Sequence, residues 1–402
     1  MLPIHKLNFG FNDAENYKRK ENKELFNKIF LRTDELERLV RKSTFFLLGE
    51  KGTGKTAYAV YLANNAYENT LGKINYIRET EYQKFIALKR EHHLQLSDYS
   101  SIWKVILYLL MAQKVNDDEG ADGILNKFIK YNNLKKAINE YYAYAFTPEI
   151  AYAINFIENS KLAAELITKY MKTGGESSTT VSFSESRFQT NLLFLQKNFE
   201  DSLRTLKLKR NHLLFIDGID IRPSSVPYQD YLECIKGLAD AVWSINNDFF
   251  SGIKDSQGRM RVVVLMRPDI FVTLGLQNQN NKIRDNSVLL SLITTYQDYK
   301  DSALFRIVDR LMSAQQEKNL ALGDAWKHYF PWKAVNQRTQ LREDSSFISF
   351  LRFSLYRPRD FISMLSILQN EFVRHQRPET DMFSEKDFDS PDFRRDYSDY
   401  LL

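Results

Sequence analysis

With one cysteine in 402 residues, Cys234, the chain has no internal disulfide open to it and no cysteine-based zinc cluster. That usage fits a reducing, cytoplasmic compartment. The six histidines, at His5, His92, His93, His212, His328 and His375, show no metal-ligand spacing. Long apolar runs are missing too: the stretches 105–112 and 262–266 fall far short of the roughly 20 residues that a membrane-spanning helix needs. The opening Met1-Leu2-Pro3-Ile4-His5-Lys6 lacks the apolar core of a signal peptide, and Asp13, Glu15, Glu21 and Glu24 argue against an organellar transit sequence. Nor is there a large surplus of one charge. The 56 basic and 51 acidic residues leave +5, which permits a nucleic-acid partner without pointing to one. No fixed-period repeat of the solenoid or propeller kind is visible.

What is present is the composition of a folded protein, 43% hydrophobic and 13% aromatic, in a chain long enough for two or three domains. Residues 22–41 place Leu25, Ile29, Leu36, Leu39 and Val40 at helical spacing, which predicts one amphipathic helix ending at Ser43-Thr44. A short apolar run, 45–48, then stops at Gly49, and 55–66 reads as a helix. A second strand is expected at 74–77. From about 97 to 208 the pattern is helical almost throughout, with candidate helices at 102–115, 124–131, 134–144, 148–157, 162–171 and 188–206. It is broken by a loop-like stretch at 173–180. The aromatic stretch 141–146 reads as packing surface, with base stacking as the other reading. Strand signals return at 213–216, 262–265 and 288–293, with a helix at 231–245 between the first two. Strands alternating with helices imply a parallel sheet with helices on its faces. Beyond residue 297, helices are expected at 304–314, 347–356 and 360–373.

Between the first strand and the first long helix lies Gly49-Glu50-Lys51-Gly52-Thr53-Gly54-Lys55-Thr56, the pattern G-x-x-x-x-G-K-[ST]. Small residues let the backbone curl so that its N–H groups cradle a β-phosphate, and the helix start adds positive potential. Lys55 would neutralise β- and γ-phosphate charge, and Thr56 would give a hydroxyl to Mg²⁺; Ala57 completes the binding stretch. The same chemistry asks for a carboxylate at the end of a neighbouring strand. Asp217, closing 213–216, is the candidate magnesium ligand. Asp220, three residues on, could polarise the attacking water, or serve as a turn residue. Arg267, after the 262–266 run, could reach the γ-phosphate, or be a solvated strand end.

With these three strands in place, the chain resembles the additional-strand P-loop ATPases, in the branch that holds AAA+ proteins, origin-recognition-like ATPases and STAND-type signalling NTPases. The likeness is strongest at Asp217-Gly218-Ile219-Asp220, since many STAND and NACHT-type members carry Asp-Gly-hydrophobic-Asp there, whereas AAA+ proteins usually have adjacent carboxylates. Asp220 is then the implied catalytic carboxylate, beside Lys55 and Arg267. Arg357-Pro358-Arg359-Asp360-Phe361 looks like the sensor-2 motif by which a lid arginine meets the nucleotide; Arg359 is the better match and Arg357 the alternative. Lys282-Ile283-Arg284-Asp285 could supply an arginine finger to a neighbouring subunit.

The resemblance implies an α/β P-loop fold, a parallel sheet flanked by helices, with a large helical insert and a C-terminal helical lid. The expected layout is 1–44 as lead-in, 45–296 as ATPase core with the insert at about 97–208, and 297–402 as lid. It implies ATP and Mg²⁺ as ligands, hydrolysis used as a switch, and a homo-oligomer or a protein partner met by the insert. It also looks like bacterial ATPases tied to phage defence. Adenine is implied by the family, as no Asn-Lys-x-Asp guanine signature is present. The clusters Lys18-Arg19-Lys20 and Lys207-Leu208-Lys209-Arg210 leave two other readings open: a nucleic-acid-dependent motor or loader, and a binding module with little turnover.

Overall fold

A computed structural model of the chain describes residues 1–77, 96–119, 185–222, 224–254, 256–375 and 381–402. The helices expected at 124–131, 134–144, 148–157 and 162–171, the loop at 173–180, the aromatic stretch 141–146 and His92 and His93 lie outside these residues. Contacts divide the chain into two compact units, one of residues 39–48 and 65–288, the other of 1–38, 49–64 and 289–402. No helix among the described residues is long and apolar enough to cross a membrane.

The first unit is built on the sheet. Strands β1 (Phe46–Gly49), β2 (Thr70–Tyr76), β3 (Asn211–Asp217), β4 (Met260–Met266) and β5 (Ser287–Leu290) run parallel in the order β2-β3-β4-β1-β5. Every residue of β4, and β3 from His212 onward, is buried. Central parallel strands are covered on both faces, which is why they read as continuous apolar runs with no alternation. Leu48 pairs with Met266 and Ile216 with Val264, so β1, β4 and β3 finish on one edge. The chain goes from β1 to β2 on one side of the sheet, and from β4 to β5 on the other side of β1. The carboxyl end of β1 is therefore the point where the winding direction reverses, the place where open α/β sheets take their ligands.

Helix Leu96–Glu119 is the hub of this unit's packing. Almost every residue from Tyr99 to Val115 is buried, against helices Tyr228–Ser244 and Glu185–Arg204 and against β3. A helix apolar all round must be enclosed all round. Gly237 sets the closest approach: a Cβ there would lie 2.5 Å from that of Tyr99. Helix Tyr228–Ser244 continues as a π turn, Ile245–Phe249, in which Asn246 donates to the Val262 carbonyl at 2.7 Å and accepts from its N–H at 2.9 Å.

At the amino end of β3 the buried Lys114 and His212 converge on Asp118, whose Oδ2 lies 3.3 Å from His212 Nδ1 and also bonds Lys114 Nζ. Burial alone would raise the Asp118 carboxyl, but the His212 and Lys114 hydrogen bonds outweigh it and hold it down to about 2. A folded value below the unfolded one stabilises the protein above the unfolded value and loses that contribution as pH falls toward 2. Asp118→Asn is therefore expected to flatten the fall in thermal midpoint between roughly pH 4 and pH 2. An acid limb as steep as that of the wild type would remove Asp118 from the account.

In the second unit the single helix expected over 22–41 is two, Lys20–Ile29 and Asp34–Val40. The break falls at Phe30, whose backbone is extended (φ −63°, ψ 125°) and whose ring stacks on Tyr61 at 4.2 Å. Helix Lys55–Asn64 follows β1. Toward the C-terminus, Ala303–Ser313, Ser346–Phe353 and Pro358–Arg374 lie where helices were expected. An unforeseen antiparallel hairpin, β6 (Lys333–Val335) and β7 (Arg342–Ser345), interrupts them. Its second strand, Arg342-Glu343-Asp344-Ser345, is polar throughout and carries no apolar alternation to announce it. Trp326 packs among Phe330, Phe347 and Phe350, with its indole N–H on Ser346 Oγ at 2.9 Å.

Candidate functional site

Gly49 ends β1, residues 51–54 turn, and the helix begins at Lys55. Gly52 (φ +87°) and Gly54 (φ +103°) hold backbone conformations that side chains disfavour, which explains glycine at both places. Gly49 is there for space: a Cβ on it would stand 2.5 Å from Thr53 Oγ1. Thr53 closes the turn, donating Oγ1 to the Glu50 carbonyl at 2.9 Å. Lys55 is 7% exposed, and its ammonium donates to the Gly49 carbonyl at 2.8 Å and to that of Glu50 at 3.3 Å. A cation is thus folded into the loop's own curl, directly at a helix start.

The same unit brings the C-terminal arginines to this loop. A Cβ on Gly52 would lie 3.3 Å from both Arg357 Cδ and Arg359 Cβ. Arg357 donates to the Lys51 carbonyl at 3.4 Å, and Arg359 Nε to the Asn12 carbonyl at 3.1 Å. Asp360 fixes Arg357: its carboxylate accepts Arg357 Nη2 at 2.7 Å and Nε at 3.0 Å, the Leu355 N–H at 2.8 Å and the Tyr400 hydroxyl at 3.0 Å. Burial would lower the Arg357 guanidinium, but the Asp360 partner raises it above its ordinary value. Arg357 is thus held more firmly than Arg359 and aims at the loop itself. Asp360, Tyr400 and Asn12 were not among the expected site residues. Only the i, i+3 spacing of Arg357 and Asp360 at a helix start carries a signal for the pair.

In the sheet unit, Asp217 is 6% exposed at the end of β3, and its own Oδ1 accepts the Gly218 N–H at 2.8 Å. Gly218 (φ +86°) turns the chain against residue 77; a Cβ there would sit 2.7 Å from the Ile77 carbonyl oxygen. Asp220 follows, half-buried. Tyr231, which sequence reasoning passed over, donates its hydroxyl to the Ile219 carbonyl at 2.6 Å and so pins the turn that carries Asp220. Burial raises the Tyr231 phenol, and Asp220 adds to the rise. Arg267, one residue past β4, pairs with Asp269 through Nε to Oδ1 at 3.0 Å. Of the proposed finger segment, Lys282 is buried with its ammonium 4.5 Å from the Trp243 ring, while Arg284 is exposed beside Asp285.

Two groups of expected residues are therefore assembled, each within its own unit: residues 49–57 with Arg357 and Arg359, and Asp217 with Asp220 and Arg267 at one sheet edge. Among the described residues no cluster of three or more His, Cys, Asp or Glu side chains could hold a metal ion. Within its own unit Thr56 is a single hydroxyl and Asp217 a single carboxylate, and neither alone builds a site for a resident ion. In sequence the chain matches no protein-family model and no curated protein.

Proposed function

We propose that the chain is a magnesium-dependent ATPase of the P-loop kind, whose bound nucleotide acts as a switch in a signalling or defence assembly. The observation that carries the reading is the curled loop 49–56 that follows β1 in the chain, with the Lys55 ammonium inside it and two arginines against Gly52. A second feature supports the branch: β4 lies between loop-bearing β1 and β3, which ends in Asp217, an added strand of the sort the family is named for.

Within this reading the loop backbone binds the β-phosphate and Lys55 balances the charge of the β- and γ-phosphates. Magnesium, when bound, neutralises charge on the transferred phosphoryl oxygens; Thr56 and Asp217 are its proposed ligands. Asp220 orients and deprotonates the attacking water. Arg357 and Arg359, carried at the start of helix Pro358–Arg374, register whether the loop is filled. Arg267, the other proposed catalytic residue, is paired with Asp269 on the surface, a contact weak enough for the arginine to leave it for a γ-phosphate.

The test is ATP turnover of wild type and Asp220→Asn, with and without DNA or RNA. The variant is expected to lose about 10²–10⁴-fold in rate while still binding ATP. Equal rates would take Asp220 out of the mechanism. Stimulation by nucleic acid that fades with salt would instead favour a nucleic-acid-dependent ATPase.

A further inference from the structure

The amino ends of the strands hold a second feature that the loop chemistry does not use. Thr70, Asn211 and His212 at the starts of β2 and β3, Arg261 in β4, and Lys42 and Arg259 line a cavity of about 30 Å³. Arg261 is 7% exposed. One end of its guanidinium, Nη2, donates to the Leu39 carbonyl at 2.9 Å; the other, Nη1, is buried without a partner. No carboxylate lines the cavity. His212 in the lining is itself paired with Asp118, which Lys114 also bonds. Burial alone pushes Arg261 down to about 9, with no opposing charge to restore it.

A buried cation without a counter-ion is costly to a fold, and an apolar residue of the same volume is often the more stable choice. Arginine here makes sense if an anion completes the site. Size and charge define that anion. A water-sized group needs about 10–15 Å³ of such space, so the cavity takes one small polyatomic ion and no base or sugar. Arg261 and Lys42, with Arg259 whose Nη1 also donates to the Ile253 carbonyl, favour a dianion over a single carboxylate, and a guanidinium presents paired donors that match tetrahedral oxyanions. Exposed Lys207, Lys209 and Arg210, directly ahead of β3, add positive potential on the approach.

We propose that this cavity is a phosphate-binding site, in which Arg261, Arg259 and Lys42 hold one tetrahedral dianion at the amino ends of β2, β3 and β4. It is independent of the nucleotide reading. Because loop 49–56 is itself expected to take phosphate, the test is run on Lys55→Ala protein, comparing it with Lys55→Ala/Arg261→Met and Lys55→Ala/Lys42→Ala. Thermal midpoints are followed against sodium phosphate, phenyl phosphate, acetate and chloride at matched ionic strength and pH. A saturable rise with phosphate, half-maximal on the order of 1 mM, is expected in the parent. The rise should vanish with methionine at 261, and its half-saturation should weaken about five-fold with alanine at the exposed position 42. Methionine at 261 should also raise the midpoint in chloride, where a merely structural arginine would lower it. A rise with phenyl phosphate as well would name a phosphoester as the source, and phosphate alone the free ion. An equal rise in acetate, no rise in the parent, or a rise that persists without Arg261 would overturn the proposal.

Discussion

Alanine at position 55 is expected to give a folded protein with no measurable ATP turnover. The Lys55 ammonium is 7% exposed and lies within hydrogen-bond reach of two loop carbonyls, so it is positioned before any ligand arrives. Preorganised positive charge in a dry site is worth far more to a developing phosphoryl transition state than a solvated lysine would be, on the order of 10²–10³ in rate for a single donor. The cost to folding is smaller, because the two lost hydrogen bonds are offset by relief of a buried charge that has only neutral carbonyls around it. The two effects separate experimentally. Phosphate release should fall to background and fluorescent-nucleotide affinity should drop, while the urea midpoint moves only slightly. Turnover that survives in Lys55→Ala would remove loop 49–56 from any hydrolytic role.

The second large effect is expected at Asp360. Its side chain is fully buried, and it accepts from Arg357, from the Leu355 N–H and from the Tyr400 hydroxyl. Removing one member of a buried ion pair leaves the other charge uncompensated, which typically costs 3–5 kcal/mol. Asp360→Ala should therefore lower unfolding free energy by about that amount, since the 19% exposure of the Arg357 side chain gives water little access to replace the carboxylate. A loss under about 1 kcal/mol in urea titration would show that Arg357 finds solvent or another acceptor. Asp360→Asn separates packing from charge: it keeps the shape and can still accept from Leu355, yet releases Arg357 from its bidentate hold. Nucleotide affinity should fall in Asp360→Asn if Arg357 meets the nucleotide, and stay constant if Arg359 alone does.

The contrast between Arg357 and Arg359 also marks how far the sequence can be read. Strands β3 and β4 were legible because burial on both faces writes an uninterrupted apolar run, and the loop was legible because each glycine answers a backbone or steric demand. The break at Phe30 was not, since it is decided by a ring 31 positions away in Tyr61, with which helical spacing has nothing to do. Hairpin β6–β7 pairs a three-residue strand, Lys333-Ala334-Val335, with a wholly polar one, too short and too polar to give a periodic signal. Arg261 reads as one polar residue in an apolar strand; the Leu39 carbonyl that holds it is 222 positions distant. For Phe30 and Arg261 the missing information is a long-range contact, and local pattern is silent about those.

Arg357 and the Lys51 carbonyl it reaches are 306 positions apart in the chain. During synthesis the loop and its helix leave the ribosome hundreds of residues before the arginine that leans on them, so loop 49–56 stays open on that side while about 300 further residues are made. At roughly 5–20 residues per second that interval is tens of seconds, long enough for a small ligand to meet the loop before the arginine does.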